Sequence, residues 1–157
     1  MARSRFHPTG GILNKGDQAE FILCVAVYAL WVQGEIEPTR KRVLTFIRVK
    51  KLVAFEALAA DVWADEKKVW VQFFSWCRED ITTSGLIAYR GSVDYGFWPL
   101  SDAGRESVEK RIDLWASWGI SAEQLLNKLK EIQHECIYSL ALLELVLALG
   151  IKRRKTV

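Results

Sequence analysis

Between Arg40 and Lys51 the chain places six basic residues and no acid, in the run RKRVLTFIRVKK. Guanidinium and ammonium groups presented on a helix face, as Lys41, Arg42 and Arg48 would be, meet phosphate oxygens through charge-assisted hydrogen bonds. Such contacts position a polyanion without reading its sequence. A second set follows at helical spacing: Lys68, Gln72, Ser75, Arg78 and Thr82. It mixes cations with amide and hydroxyl groups, the side chains that read base edges in a DNA groove. Arg90 stands just before a short stretch of turn residues and Ser92 within it, where a cation can reach phosphate or a minor groove. Beside each reading stands a plainer one, a solvated helix face or loop.

Other chemistry has less to stand on. The chain contains no Gly-x-Ser-x-Gly elbow, no glycine-rich phosphate loop and no His-Glu-x-x-His. Asp61, Asp65 and Glu66 are close enough in sequence to suggest metal ligands, but acids at a helix boundary are accounted for by the positive helix end. Cys24, Cys77 and Cys136 lie far apart in apolar patterns without a Cys-x-x-Cys pair, which reads as buried free thiols in a reducing compartment. No catalytic residue, metal or cofactor is expected.

The elements that must position these groups follow from periodicity and punctuation. Residues 1–16 read as a flexible basic arm. Asp17 to Val32 reads as a largely buried helix ended by Gly34. Glu37-Pro38-Thr39 opens a second helix, with Pro38 in the first turn, where a missing N–H costs nothing. Val43, Phe46 and Ile47 form its buried stripe, opposite Lys41, Thr45 and Arg48. A short third helix is expected over 54–62. Asp65 then caps a helix from Glu66 to about Ser84, with Trp70, Phe73, Phe74, Cys77 and Ile81 facing the core.

Gly85 suits a left-handed helix stop. Leu86 to Arg90 and Tyr95 to Leu100 read as two strands joined by turn residues Gly91 to Asp94. Trp98 and Leu100, two apart, share one strand face, toward the preceding helix. Ser101 is an N-cap and Asp102 a first-turn acid for a helix to about Trp118. After Gly119, Ser121 to Gln124 is a capping-box sequence. It opens a helix running to Leu149, about 42 Å long at 1.5 Å per residue. Its second half is apolar nearly all round, a surface that does not stay in water.

Helix, tight exit, hairpin and helix, in that order, make the back half of a winged helix. Trp76, Arg78, Gly85, Leu86, Ile87, Arg90, Gly91, Trp98, Leu100, Ser101, Gly104 and Arg105 carry a more particular likeness. This segment resembles the N-terminal winged-helix domain of the Mrr family of restriction-system proteins, well over residues 66–106 and loosely over 17–65. Ser101 stands where the family usually has Thr, and Pro99 departs from the pattern because it removes a ladder donor. Full-length Mrr-type proteins add a nuclease domain whose metal site uses an Asp and a later Gln-x-Lys; this chain has no Gln-x-Lys. The resemblance implies DNA recognition without that catalytic domain.

Composition is compatible with this. At 157 residues, half of them hydrophobic and with seven Trp and seven Phe, the chain can bury one substantial core. A net charge of +3 and a pI of about 8.8 favour a polyanionic partner only weakly. No signal peptide is apparent, and the apolar run Ile137 to Ile151 is short for a bilayer and interrupted by Glu144, so a soluble cytoplasmic protein without membrane contact is expected.

The sequence therefore predicts a mainly α protein: a winged helix, meaning a helix-turn-helix with a two-stranded β-hairpin wing, over residues 17–118, a C-terminal dimerisation helix over 119–151 and a basic tail over 152–157. Duplex DNA is the expected partner, through Lys41, Arg42, Arg48, Lys68, Gln72, Ser75, Arg78, Arg90 and Ser92. A homodimer is expected through Leu140, Leu143, Val146 and Leu147, the alternative being that the helix folds back on Asp17 to Val32 and completes a monomer core. Transcriptional regulation and the DNA-recognition part of a restriction or defence system are the two uses that fit. The rival class is a winged-helix adaptor that binds protein, not DNA.

Overall fold

In the computed structural model, which describes residues 14–77, 80–92, 95–133 and 135–155, fourteen consecutive residues from Asp17 to Leu30 are buried. They belong to α1 (Lys15–Val32), which from Phe21 on is apolar on every side and therefore has to be surrounded. It is packed by α2 (Arg40–Lys50), α4 (Glu66–Cys77), α6 (Asp102–Ser117) and α8 (Leu140–Lys155). Phe21, Ile22, Leu23 and Leu30 are each fully buried along it, worth roughly 1.5–3 kcal/mol apiece. Asn14 caps the start by accepting from the Asp17 amide at 2.8 Å, and Gly34, at φ 98°, follows its end.

Pro38 lies outside α2, not in its first turn. Thr39 is the N-cap, its hydroxyl accepting from the Arg42 amide at 3.2 Å, and the Pro38 carbonyl accepts from the Trp98 amide at 2.7 Å. The expected third helix divides into a 3-10 turn at Phe55–Ala57 and α3 (Ala60–Trp63). The expected helix from Glu66 is described as α4 and α5 (Asp80–Thr83), with residues 78–79 outside the described residues. Gly85 adopts the expected left-handed conformation at φ 81°.

Residues 86–101 pair more sparingly than two strands would. Ile87 with Leu100 and Arg90 with Phe97 form isolated antiparallel bridges, and Thr39 bridges Phe97 from the other side. Ala88 donates to the Pro99 carbonyl at 2.8 Å, but Pro99 has no N–H to return the bond, which interrupts a continuous ladder. Ser101 then caps α6 as expected, accepting from the Gly104 amide at 2.9 Å.

The long helix expected over Ser121 to Leu149 is two helices. α7 (Ala122–Ile132) starts with the capping box of Ser121 and Gln124. The chain then turns, and α8 starts at Leu140, with the Ser139 hydroxyl accepting from the Leu142 amide at 3.0 Å. Contacts from distant segments satisfy the turn. The Gln18 side chain donates to the Glu135 carbonyl at 2.6 Å and accepts from the Ile137 amide at 2.8 Å. Ala54 donates to the Ile137 carbonyl at 2.7 Å, and the Ser139 hydroxyl donates to the Lys51 carbonyl at 2.6 Å.

The break lets α8 fold back against α1, α6 and α7. Leu143 and Val146, expected in a dimer seam, are fully buried in the chain's own core, and Leu140 and Leu147 are half-buried. The all-round apolar character of this segment is that of a helix enclosed by its own chain. In the basic tail, Arg153 is engaged by Glu109 at 2.7 Å and Asp113 at 3.1 Å, so one of its cations anchors α8 to α6.

Candidate nucleic-acid interface

The connector between α1 and α2 organises the first group of candidate cations. Arg42, in the first turn of α2, grips Glu35 in a two-bond fork, with Nε and Nη2 each 2.8 Å from a carboxylate oxygen. Those hydrogen bonds hold the Glu35 carboxyl below its ordinary value and raise the guanidinium's. Arg90 pairs with Glu37 of the same connector. The Thr39–Phe97 bridge and the Trp98–Pro38 hydrogen bond lay the 86–101 segment along this connector, which is why residues so far apart in sequence meet. Arg42 and Arg90 thus flank one acidic strip and both stay exposed.

A second group is tied to α3. Lys68 on α4 pairs with Asp61 at 3.2 Å, and its hydrogen bond lowers the Asp61 carboxyl below its ordinary value. Arg48 is half-buried and donates from Nε to the Trp63 carbonyl at 2.8 Å. That bond makes Arg48 a link between α2 and α3 as well as a cation. Asp65 caps α4 as expected, accepting from the Lys67 amide at 2.9 Å.

The remaining candidates are scattered around these groups. Lys41 is exposed and makes no ion pair among the described residues. Gln72 is half-buried, while Ser75 and Ser92 are exposed. The Ser92 carbonyl accepts from the Gly96 amide at 2.6 Å, closing the turn between the paired segments. Arg78 lies outside the described residues.

The buried side of α4 is Val69, Trp70, Phe73 and Cys77. Phe74, expected in the core, is 40 % exposed. It sits at the edge of the packed face, its ring 5.9 Å from that of Trp70. Val71, one turn earlier, is 65 % exposed. Val71, Phe74 and Ser75 therefore form an outward stripe at i, i+3, i+4, with Lys67 at its start. Helical spacing alone contained that signal. Trp98, by contrast, is fully buried between Trp70 and Tyr89, at ring distances of 5.1 and 5.2 Å.

What sequence reasoning missed is the acids beside the candidate cations: Glu35, Glu37 and Asp61 each hold one of the expected DNA contacts, Arg42, Arg90 and Lys68. Among the described residues no group of three or more His, Cys, Asp or Glu is placed to hold a metal ion, and no helix is long and apolar enough to cross a membrane. No protein-family model, curated protein or solved structure matches this chain.

Proposed function

We propose that residues 15–118 form a winged helix that binds duplex DNA, with α4 as the groove helix and residues 86–101 as the wing. The observation that carries the reading is the three-way pairing at Phe97. The residue bridges Arg90 on one side and Thr39 on the other, so the hairpin is joined to the connector between the first two helices. Helix, pairing connector, two further helices and hairpin is the order a winged helix requires, with the 3-10 turn and α3 added between α2 and α4 and the short α5 before the hairpin. The likeness of residues 66–106 to the Mrr-type domain supports the same assignment, with a role in transcriptional regulation or in the recognition step of a restriction or defence system.

In this reading Lys41, Arg42, Lys68 and Arg90 meet phosphates, three of them after leaving a carboxylate. Gln72 and Ser75 approach base edges. Contact with about four phosphates gives a slope of log affinity against log salt of up to roughly −3.6. Lys41→Ala flattens the slope most and Arg90→Ala less, because Arg90 leaves Glu37 to reach a phosphate, whereas Gln72→Ala relaxes sequence preference. A salt titration against random duplex DNA is the test, and a flat dependence rejects the reading.

A second reading has its own observation. Val71 and Phe74 offer apolar surface on the very helix that would enter the groove. Negligible DNA affinity at low salt, together with a purified protein partner whose binding is lost in Val71→Asp, identifies an adaptor instead.

A further inference from the structure

We propose that the cavity between the end of α2, α3 and the start of α8 is a binding site for a planar aromatic carboxylate. The cavity measures about 390 Å³, toward the lower end of the range for small-molecule sites. Its apolar wall holds Val53, Phe55, Trp63 and Ala141. Phe55 and Trp63 lie nearly parallel, with ring centroids 6.4 Å apart and an interplanar angle of 14°. Phe55 is nonetheless 76 % exposed and Trp63 half-buried, so the pair keeps ring surface open to solvent. The indole N–H of Trp63 is already given to the Phe55 carbonyl at 3.1 Å. What the pair offers an incoming molecule is therefore ring surface, suited to offset stacking.

Two cations border this surface, Arg48 and Lys51, and no acid stands among the described lining residues. The Arg48 guanidinium is held at the wall by its Nε bond to the Trp63 carbonyl, and its Nη atoms have no hydrogen-bond partner among the described residues. Lys51 is the left-handed cap of α2 at φ 55°, and the Ser139 hydroxyl fixes its carbonyl at 2.6 Å. Ala141 lies in the first turn of α8, whose positive end adds to the same field. An anionic head is thus matched by charge and a flat body by stacking. The predominantly apolar lining favours a carboxylate over a nucleotide, whose sugar hydroxyls would lose water without finding partners.

The site shares Arg48 with the candidate DNA contacts and is tested without DNA. Isotope-labelled full-length chain is titrated with 2-naphthoate and with 2-naphthamide, the same ring system with a neutral head. The naphthoate should shift the Trp63 indole signal and the Lys51, Phe55 and Ala141 amides saturably, and bind about tenfold more tightly than the amide. Lys51→Gln should cut that preference to about threefold or less. Phe55→Ala should weaken both probes while leaving the circular dichroism unchanged, since its ring is exposed. The proposal is overturned by equal affinity for the two probes, by a preference that survives Lys51→Gln, or by the absence of saturable shifts at these signals. Shifts centred on Tyr28 and Trp31, in the separate cavity between α1, α6 and α8, would also overturn it.

Discussion

Gly104→Ala tests how the paired segments meet α6, because the usual sign of such a change should invert. Within a helix, alanine is ordinarily favoured over glycine by about 1 kcal/mol. A Cβ at position 104 would lie 2.0 Å from the Leu86 carbonyl oxygen, 2.9 Å from its carbon and 2.9 Å from Leu100 Cδ1. The nearest obstacle is backbone. That carbonyl also accepts from the Ser101 amide at 3.0 Å and lies 2.9 Å from the Ser101 hydroxyl, so shifting it disturbs the cap of α6. Overpacking costs about 1–3 kcal/mol and each weakened hydrogen bond about 1, so after the propensity gain the net loss is about 2–3 kcal/mol.

Gly150 supplies the control inside α8. There the added Cβ would meet only the side-chain atoms Ile112 Cγ2 at 3.2 Å and Ala116 Cβ at 3.4 Å as near neighbours. Those can yield by tenths of an ångström, so Gly150→Ala should fall within about 1 kcal/mol of the parent. Urea unfolding followed by circular dichroism, with the m-values compared, measures both; Gly104→Ala should also lower Tm by about 5–10 °C. A Gly104→Ala protein as stable as the parent would refute the close approach of α6 to Leu86.

Three further outcomes follow from burial and charge. Trp98→Ala removes a fully buried ring and should cost about 3–5 kcal/mol in urea unfolding, while a loss below about 1 kcal/mol would mean that the ring is not enclosed. Leu143→Glu places an unpaired carboxylate in the core and should unfold the chain; a variant that stays folded while light scattering shows a dimer falling to the 18.0 kDa chain mass would restore the dimer seam. The carboxyls of Glu35 and Asp61 are lowered by Arg42 and Lys68, so their stabilising contribution is present above the ordinary carboxylate range and lost as pH falls through the lowered values. Carboxyl NMR titration should find Glu35 ionising below a normal glutamate, and Arg42→Gln should return it; an unshifted Glu35 in the parent removes the fork.

Helix ends set by local chemistry were legible in the sequence. Ser101, Ser121 and Asp65 cap where a hydroxyl or carboxylate precedes an apolar period, because the bond they form spans only two or three residues. The break between α7 and α8 was not. The segment from Gln133 to Ser139 contains neither Gly nor Pro, and Gln18, more than a hundred residues away, satisfies its backbone. A helix in isolation would keep those amides for itself, and only the packing of α1 offers the alternative. The apolar girdle of α8 was visible, but the same pattern serves a second copy or the chain's own core equally well. Leu143 and Val146 went to the core because α6 and α7 were there to receive them.

The proposed interface was legible in its cations and not in their partners, for the same reason. Glu37 stands 53 residues before Arg90, and the Thr39–Phe97 bridge and the Trp98–Pro38 hydrogen bond bring the two together. This pairing bears on what a polyanion would encounter. When Arg42, Lys68 or Arg90 exchanges its carboxylate for a phosphate, the DNA sheds a condensed counterion while the abandoned carboxylate regains one. The salt slope then counts fewer ions than there are contacts. Lys41, with no ion pair among the described residues, would count in full. A slope shallower than the number of phosphates touched is therefore the signature of this arrangement. The acids also reduce the bare charge that would draw in polyanions indiscriminately. The energy of the exchange must come from geometry, a phosphate seated where both α2 and the hairpin can reach it, and the connector carrying Glu35 and Glu37 lies between those two elements.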